Sequence, residues 1–479
     1  MECANKTVLQ IVELIANKKI SCLELTKYYL SQIDKFKDKN AVLEVFDDAL
    51  DRARALDEYI ATNQDLPPLM GVPILIKDNI MYKGKICSNG SRMMEGYVAQ
   101  YNATVIDRLL DAGVVILGRT NMDEFAMGGS CENSAFGPTK NAHNDSRVSG
   151  GSSGGSAVSV ALDMCAFALG SDTGGSVRQP ASYNGVVGLK PTYARISRYG
   201  LCAYASSLDT IGIFTKTVKD NAYILSIIAG KDEKDNTSSD VEVDNYLGNI
   251  YGDISGKRIA IIEEVQELVA QTDYASVYQK VIDYCQKHGA IVTKCHIPDY
   301  KYVIPTYYTI AMAEASSNMG RIDGLKVGKC VDEDNVFSLY SKSRAKYLGR
   351  EVKRRILLGN FVLSSEYYSA YYLKAKKIVA KIRKQFMDIF DSNDVVFMPT
   401  TYGEAFEIGS KVSDPLSMYI EDMFTVTANM IGVPAISIPV GLGKNNLPIG
   451  LQILSKHFNE KEIYEVANFV MIAEGESDE

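Results

Sequence analysis

Two strings rich in serine and glycine constrain this chain more than any other feature of its sequence. They occupy residues 149–156 (SGGSSGGS) and 170–176 (GSDTGGS). The residues between them, 157–169, are mostly apolar with small side chains at helical spacing, which predicts a buried helix with Ser152 or Ser153 at its N-cap. A flexible spacer would not continue into such a segment. We therefore expect both strings to lie against a packed core, where glycine lets the backbone approach a ligand and consecutive N–H groups stabilise an anionic oxygen.

A serine in such a string needs a base before it becomes a nucleophile, and histidine is the usual base. The chain contains four histidines. Overlapping Gly-x-Ser-x-Gly matches centred on Ser152 and Ser153 are typical of the nucleophile elbow of α/β-hydrolases, but a glycine-rich octet produces such matches by composition alone. The Ser-x-x-Lys spacing of Ser343 and Lys346 falls in a charged stretch, and we interpret it as a solvated helix face.

Lys77 is the candidate base. It ends a short apolar run within residues 71–80 (GVPILIKDNI) that predicts a β-strand, and a lysine is unusual there because burying an unpaired ammonium is costly. To act as a base near pH 7, its pKa must fall from about 10.4 by roughly three units, which costs about 4 kcal/mol and requires burial. A carboxylate of Asp78 that faced the amine would oppose this fall. The alternative is a strand-end lysine that reaches water.

Four motifs occur together: Lys77 and residues 150–155 (GGSSGG), 170–178 (GSDTGGSVR) and 185–192 (GVVGLKPT). With these motifs the chain resembles the amidase signature family, whose members hydrolyse carboxamides with a Ser-Ser-Lys triad. The resemblance implies that Lys77 is the base, Ser152 the bridging serine and Ser176 the nucleophile. It also implies an oxyanion hole made of the backbone N–H groups of Thr173, Gly174, Gly175 and Ser176.

Further stretches resemble one branch of that family, the A subunits of the aspartyl/glutamyl-tRNA amidotransferases. They are residues 198–212 (RYGLCAYASSLDTIG), 351–356 (EVKRRI) and 414–422 (DPLSMYIED). This resemblance implies release of ammonia from glutamine, with Arg355 holding the α-carboxylate, Asp422 the α-ammonium and Tyr307 contributing its hydroxyl. Arg354 and Tyr308 remain open as alternatives to Arg355 and Tyr307.

The same resemblance implies a heterotrimer, in which B and C subunits use the ammonia to amidate tRNA-bound glutamate or aspartate. ATP and magnesium are expected in one of these partners, and no cofactor is expected in this chain, which lacks a Gly-x-x-x-x-Gly-Lys-Ser/Thr phosphate loop. The net charge of −8 predicts that charged tRNA is reached through the complex, since a chain that grips RNA itself carries a basic face.

The cysteines and the hydropathy pattern bear on location and on metals. The nine cysteines form no Cys-x-x-Cys pair and have no histidines at ligand spacing, so we predict neither a metal site nor a disulfide framework. No stretch approaches the roughly twenty apolar residues of a membrane span, and no secretory signal is evident at the start. We expect a cytoplasmic protein without membrane contact.

Short apolar runs alternate with amphipathic helical patterns, which favours a central sheet covered by helices. Strands are predicted at residues 258–262, 290–293, 394–398, 435–440 and 451–454, and helices at 274–288 and after a capping box at Ser21 and Glu24. At 479 residues the chain is long enough to bury a large core. We expect one large α/β domain with a central mixed β-sheet over residues 1–479, including a helical N-terminal segment at about 1–65 and the signature core at about 70–215.

Two other functions remain as alternatives at this point. One is a stand-alone amidase of the same family that acts on another small or fatty carboxamide. The other is a phosphate- or nucleotide-binding module that uses the glycine loops as an anion nest. The second alternative leaves Lys77 without an explanation.

Overall fold

A mixed sheet runs through the part of the molecule that the structure, a computed structural model, describes, namely residues 3–270, 272 and 274–476. Its eleven strands have the order β1-β3-β2-β4-β6-β5-β10-β11-β9-β7-β8. They are β1 (Val42–Val45), β2 (Pro73–Lys77), β3 (Val115–Thr120), β4 (Phe167–Asp172), β5 (Val187–Lys190), β6 (Thr210–Thr215), β7 (Arg258–Ile262), β8 (Ile291–Cys295), β9 (Val395–Pro399), β10 (Ala435–Leu442) and β11 (Pro448–Leu454). Strand β2 pairs in parallel with β3 and β4, β7 pairs in parallel with β8 and β9, and the other pairs are antiparallel.

Helices cover this sheet. They are α1 (Val8–Ala16), α2 (Cys22–Lys35), α3 (Ala49–Thr62), α4 (Thr104–Asp111), α5 (Gly154–Ala161), α6 (Arg178–Asn184), α7 (Val218–Ile228), α8 (Glu263–Val269), α9 (Tyr274–Lys287), α10 (Val303–Met319), α11 (Val336–Tyr347), α12 (Arg350–Leu363), α13 (Lys374–Ser392), α14 (Pro415–Ile420), α15 (Val426–Ile431) and α16 (Glu460–Glu476). Strands β2, β4 and β6 are buried at every residue, which indicates that both of their faces are covered. The single large α/β domain with a central mixed β-sheet is confirmed.

Most elements predicted from periodicity are present. Strand β7 has the predicted bounds, and the four other predicted strands are shifted or extended by one to three residues at an end. Helix α9 begins where predicted and ends one residue before the predicted end. The capping box before α2 is confirmed: Ser21 Oγ accepts from Glu24 N, and Glu24 Oε2 accepts from Ser21 N. The N-terminal segment holds α1, α2 and α3, but β1 between them pairs with β3 at the edge of the sheet.

The apolar segment at residues 157–169 is not one helix, and this prediction was wrong. Helix α5 ends at Ala161, and β4 begins at Phe167 after a turn in which Asp163 has a φ of 55°. The Asp163 carboxylate accepts hydrogen bonds from the N–H of Asn5 and from the Tyr28 hydroxyl, at 2.9 and 2.6 Å. The turn is therefore stabilised by the N-terminal segment, which contacts it only in the folded chain.

Polar stretches without helix or strand lie at residues 231–243 and 326–335, as surface loops. No helix in the described ranges is long and apolar enough to cross a membrane.

Candidate active site

Lys77 is the last residue of β2, in the middle of the parallel part of the sheet. The side chain is fully buried. Its Nζ lies 2.7 Å from Ser152 Oγ, 2.8 Å from Ser153 Oγ and 2.9 Å from Ser171 Oγ. Lys77 thus joins the two glycine-rich strings, because Ser171 belongs to the second of them.

Burial lowers the pKa of the Lys77 ammonium from 10.5 to about 7, and the negative charges of Asp123 and Asp172 offset part of that fall. Asp78 does not oppose it, since its carboxylate points to other partners. Asp78 accepts from the N–H groups of Ser88 and Gly90, both at 2.9 Å, and pairs with Arg119 at 2.8 Å. An amine with this pKa is about half neutral at pH 7, which is what a general base requires.

The first string is held close to its neighbours. At Gly151 a Cβ would overlap the Asp123 carboxylate, and at Gly155 it would overlap the backbone of Asn121, so glycine is required by space at both positions. Ser153 stands at the N-cap of α5, but its hydroxyl makes no capping bond; it accepts from Lys77 and donates to Ser171 O at 3.1 Å. The string is therefore a rigid support for hydroxyl groups.

The loop that carries Ser176 is shaped by the carboxylate of Asp172. This carboxylate accepts from the N–H groups of Gly175 and Val177, at 2.8 and 3.1 Å, and pairs with Arg178 at 2.9 Å. Although burial acts in the opposite direction, Arg178 and the Asn429 amide hold the pKa of Asp172 well below its usual range. The loop thus contains its own anion, which argues against the phosphate-nest alternative.

This arrangement affects the oxyanion hole that the sequence implies. The N–H of Gly175 already donates to Asp172, so it is not available to a substrate oxygen in this structure. Within the described ranges, the N–H groups of Thr173, Gly174 and Ser176 have no hydrogen-bond acceptor. These three donors are the ones that remain for a developing negative charge.

Two side chains press against the glycines of this loop. A Cβ at Gly174 would overlap the hydroxyl of Tyr307, and a Cβ at Gly175 would overlap Thr425. Thr425 Oγ1 donates to Gly174 O at 2.6 Å, and Gly175 has a φ of 127°. Tyr307 therefore lies directly beside the Ser176 loop, where its hydroxyl is expected.

Arg355 projects from α12 into a ring of aromatic side chains. Its Nε donates to Glu351 at 2.8 Å and its Nη1 to the Tyr204 hydroxyl at 2.5 Å. Its guanidinium also lies over the rings of Tyr204, Tyr308 and Tyr419, at 5.4, 5.4 and 5.6 Å from their centroids. The side chain is 4% exposed, whereas that of Arg354 is 26% exposed. Arg355 is thus the buried, preoriented cation of the two.

Asp422 lies close to the Arg355 guanidinium but hydrogen-bonds to Tyr308. The Tyr308 hydroxyl donates to its Oδ2 at 2.6 Å. Burial raises the pKa of the Asp422 carboxyl to about 7, while the Tyr308 hydrogen bond and the charge of Arg355 partly offset this rise. Tyr308 thus orients the carboxyl, and Tyr307 lies at the Ser176 loop, so both tyrosines belong to the site.

A small cavity of about 150 Å³ opens beside these groups. It is lined by Gly128, Ser130, Glu132, Asn133, Arg350, Glu351, Arg354, Arg355, Lys411, Val412, Pro415, Met418 and Tyr419. Drug-sized ligands need about 300–1,000 Å³, so this space suits a much smaller molecule. A larger cavity of about 510 Å³ lies along α13, with Lys376, Arg383 and Lys384 among its lining, and does not include the Lys77 cluster.

The side chain of Gln179 links the cavity to the hydroxyl cluster. The Gln179 amide donates to Gly129 O at 2.7 Å and accepts from the Gly151 N–H at 2.9 Å, one residue before Ser152. Ser130, on the same loop, lines the cavity. The structure therefore brings all the predicted site residues into one region.

Within that region, the described structure has no hydrogen bond between the hydroxyl groups of Ser176 and Ser152. The Ser153 N–H donates to Ser176 O at 3.2 Å, but the Ser176 hydroxyl has no hydrogen-bonding partner among the residues that the structure describes.

Sequence reasoning missed Ser153 and Ser171 as partners of the amine, and Glu351 and Tyr204 as partners of Arg355. The adjacency of Ser153 to Ser152 and the i,i+4 spacing of Glu351 and Arg355 were the local signals for two of these contacts.

Known proteins are similar to this chain along most of its length. The family model described as Amidase matches residues 24–464. The chain is 48% identical over 470 residues to the A subunit of the glutamyl-tRNA(Gln) amidotransferase of Caldanaerobacter subterraneus subsp. tengcongensis, a match that covers 98% of this chain and 96% of the relative.

Solved structures show the same relationship. The A subunit of the glutamyl-tRNA(Gln) amidotransferase from Thermotoga maritima has a TM-score of 0.80 at 38% identity, over 97% of this chain and 94% of its own. The native peptide amidase from Stenotrophomonas maltophilia has a TM-score of 0.83 at 26% identity, over 98% and 97% of the two chains. The chain described here therefore belongs to the amidase family, with the A subunits of glutamyl-tRNA(Gln) amidotransferase among its relatives.

Proposed function

We propose that this chain is the glutamine-hydrolysing subunit of a tRNA-dependent amidotransferase. The observation that carries the proposal is the pairing of two features in one region: a fully buried amine with a pKa of about 7 among serine hydroxyls, and a small cavity beside a buried Arg355 and a partly buried Asp422. The first feature suits amide hydrolysis at a serine. The second suits an amino-acid substrate that carries one charge of each sign.

In the proposed reaction, neutral Lys77 takes a proton from Ser152, and Ser152 takes one from Ser176. Ser176 Oγ attacks the side-chain amide carbon, and the N–H groups of Thr173, Gly174 and Ser176 stabilise the oxyanion. The relay then returns a proton to the departing ammonia, and water hydrolyses the acyl-enzyme. The Ser152–Ser176 contact is expected to close on substrate binding, since catalytic hydrogen bonds are often long in empty sites.

For glutamine, Arg355 binds the α-carboxylate through its terminal nitrogens, because its Nε is already paired with Glu351. Asp422 binds the α-ammonium, and this positive charge stabilises the ionised form of a carboxyl whose pKa is about 7 in the empty site. Tyr307 contributes its hydroxyl beside the Ser176 loop.

The partners follow from the names of the relatives, which are components of an amidotransferase. We propose a heterotrimer with B and C subunits, in which a partner binds ATP and magnesium and receives the ammonia to amidate charged tRNA. The net charge of −8 supports tRNA contact through a partner. A reaction on aminoacylated tRNA also supports a cytoplasmic location.

The test is Ser176→Ala in the reconstituted complex. We expect glutamine hydrolysis to fall by at least about 10⁴-fold, because the attacking oxygen is lost. Amidation of charged tRNA should persist when ammonium replaces glutamine, since only the ammonia-releasing step is removed. A complex that fails with ammonium as well would contradict this division of labour.

Substrate recognition is tested with Arg355→Met. We expect kcat/KM for glutamine to fall at least about 100-fold, mainly through KM, because the carboxylate loses its cation. A small neutral amide should lose much less. Arg354→Met is the matched control on the same helix. If kcat/KM for glutamine falls equally in the two variants, Arg355 is not the residue that binds the α-carboxylate.

A further inference from the structure

Two cysteines meet beside the backbone of the residues that follow Lys77. Cys87 Sγ and Cys202 Sγ are 3.8 Å apart, although 115 positions separate them in the chain. Cys87 is buried and Cys202 is partly exposed, so Cys202 is the residue of the pair that lies nearer to solvent. The catalytic scheme above uses neither of them.

Both cysteines hydrogen-bond to the backbone of the two residues that follow Lys77. The Cys87 thiol donates to Asp78 O at 3.4 Å, and the Cys202 N–H donates to Asn79 O at 2.9 Å. Leu201 and Ile80 form an antiparallel bridge on the same side. The two cysteines are therefore held near each other by contacts with the backbone that directly follows β2.

A short path of hydrogen bonds leads from this pair to the amine. Asn79, whose carbonyl holds Cys202, donates from Nδ2 to Ser171 Oγ at 2.9 Å. Ser171 Oγ is also 2.9 Å from Lys77 Nζ. A disulfide requires about 2.05 Å between the sulfurs, so they must approach by almost 2 Å and the segments that carry them must shift. Such a shift changes the position of Asn79 and, through Ser171, the surroundings of Lys77.

We propose that Cys87 and Cys202 form a redox-sensitive pair, which a peroxide oxidises to a disulfide that reversibly lowers amide hydrolysis. The inhibitory part rests on the proposed function; formation of the disulfide does not. The chemical class of the modifying agent is a small peroxide.

The two sulfurs have different roles in this oxidation. The contact between the two sulfurs lowers the pKa of the Cys202 thiol, and the same contact, with burial, raises the pKa of Cys87. Cys202 therefore attacks as the thiolate: its S–O bond forms, the O–O bond breaks, and hydroxide leaves and takes the Cys87 proton to become water. The Cys87 thiolate then attacks the sulfenic sulfur, the S–S bond forms, and the hydroxyl leaves with a proton as a second water. The sulfurs lose two electrons and the peroxide gains them.

The test uses the full chain, reduced and then exposed to hydrogen peroxide. The reaction is stopped by alkylation, the Cys87–Cys202 peptide is sought by mass spectrometry without reduction, and glutamine hydrolysis is followed in parallel. We expect the cross-linked peptide to appear as activity falls at least tenfold, and dithiothreitol to reverse both. Cys202→Ser should retain its activity under peroxide, whereas Cys330→Ser, which removes an exposed cysteine, should respond as the unaltered chain does.

The proposal is overturned if no Cys87–Cys202 peptide forms under conditions that oxidise Cys330. It is also overturned if Cys202→Ser loses as much activity as the unaltered chain. Should Cys202→Ser fold poorly, Cys87→Ser replaces it in the activity measurement, because it removes the same disulfide and should likewise retain its activity under peroxide. A reduced chain that hydrolyses no glutamine would refute the proposed function, while the cross-linked peptide would still decide whether the pair oxidises.

Discussion

Replacing Lys77 by methionine should change how the stability of the protein depends on pH. The side chain is fully buried and its pKa is about 7, against 10.5 for an ordinary lysine. Methionine keeps a similar length but binds no proton. The comparison therefore isolates the cost of holding this amine neutral inside the protein.

The expected effect follows from the two pKa values. Between pH 7 and 10.5 the unfolded chain keeps a proton on Lys77 that the folded chain has released, so stability rises with pH in this window. The whole shift corresponds to about 5 kcal/mol, of which about 2 kcal/mol falls between pH 7 and 9. Below pH 6 the amine is protonated in both states, and its contribution no longer changes with pH.

The assay is denaturant unfolding, under reducing conditions, at several pH values from 5 to 9. The free energy of unfolding of the unaltered chain minus that of Lys77→Met should be flat up to pH 6 and then rise by about 2.6 kcal/mol by pH 9. Lys377→Met removes an exposed lysine from α13 and serves as the control, with a curve parallel to that of the unaltered chain. If Lys77→Met also gives a parallel curve, Lys77 has an ordinary pKa in the folded protein and cannot be the base.

Other predictions concern activity. For the unaltered chain, kcat/KM for glutamine should rise with pH and level off above about pH 7, because Lys77 must be neutral and Asp422 ionised. On a logarithmic plot the acid limb should have a slope near two, falling to one in Asp422→Asn, and a flat profile down to pH 5 would contradict both assignments. Gly175→Ala should reduce kcat at least about 100-fold and destabilise the fold, since its Cβ would overlap Thr425 at a φ of 127°. Gly84→Ala, at a φ of 80° with open space for its Cβ, is the control in both the kinetic and the unfolding measurements. If Gly84→Ala loses as much activity and stability as Gly175→Ala, the overlap with Thr425 is not the cause of the loss.

The failed helix prediction at residues 157–169 shows where periodicity stops being informative. Small apolar residues fit a buried helix and a buried strand equally well over a short run. The break at Asp163 depends on Tyr28 and on the backbone of Asn5, more than 130 positions away in the chain. Periodicity within the segment contains no trace of these partners.

The choice between Arg354 and Arg355 also depended on contacts with residues that are distant in the chain. Adjacent residues of α12 point to different sides of the helix, and only packing against Tyr204, Tyr308 and Tyr419 decides which one is buried. The same holds for Ser171, which reaches Lys77 because β2 and β4 are neighbours in the sheet.

By itself, the sequence determined the strand that ends in Lys77, the glycine-rich strings that need close backbone approach, and the family to which the chain belongs, because these depend on residue type and local order. The tertiary structure alone decided that the amine is buried, that Asp78 points away from it to Arg119, and that the Gly175 N–H is taken by Asp172. The physical reason is that a pKa and a hydrogen bond depend on everything that surrounds a group in space, and most of those surroundings come from distant parts of the chain.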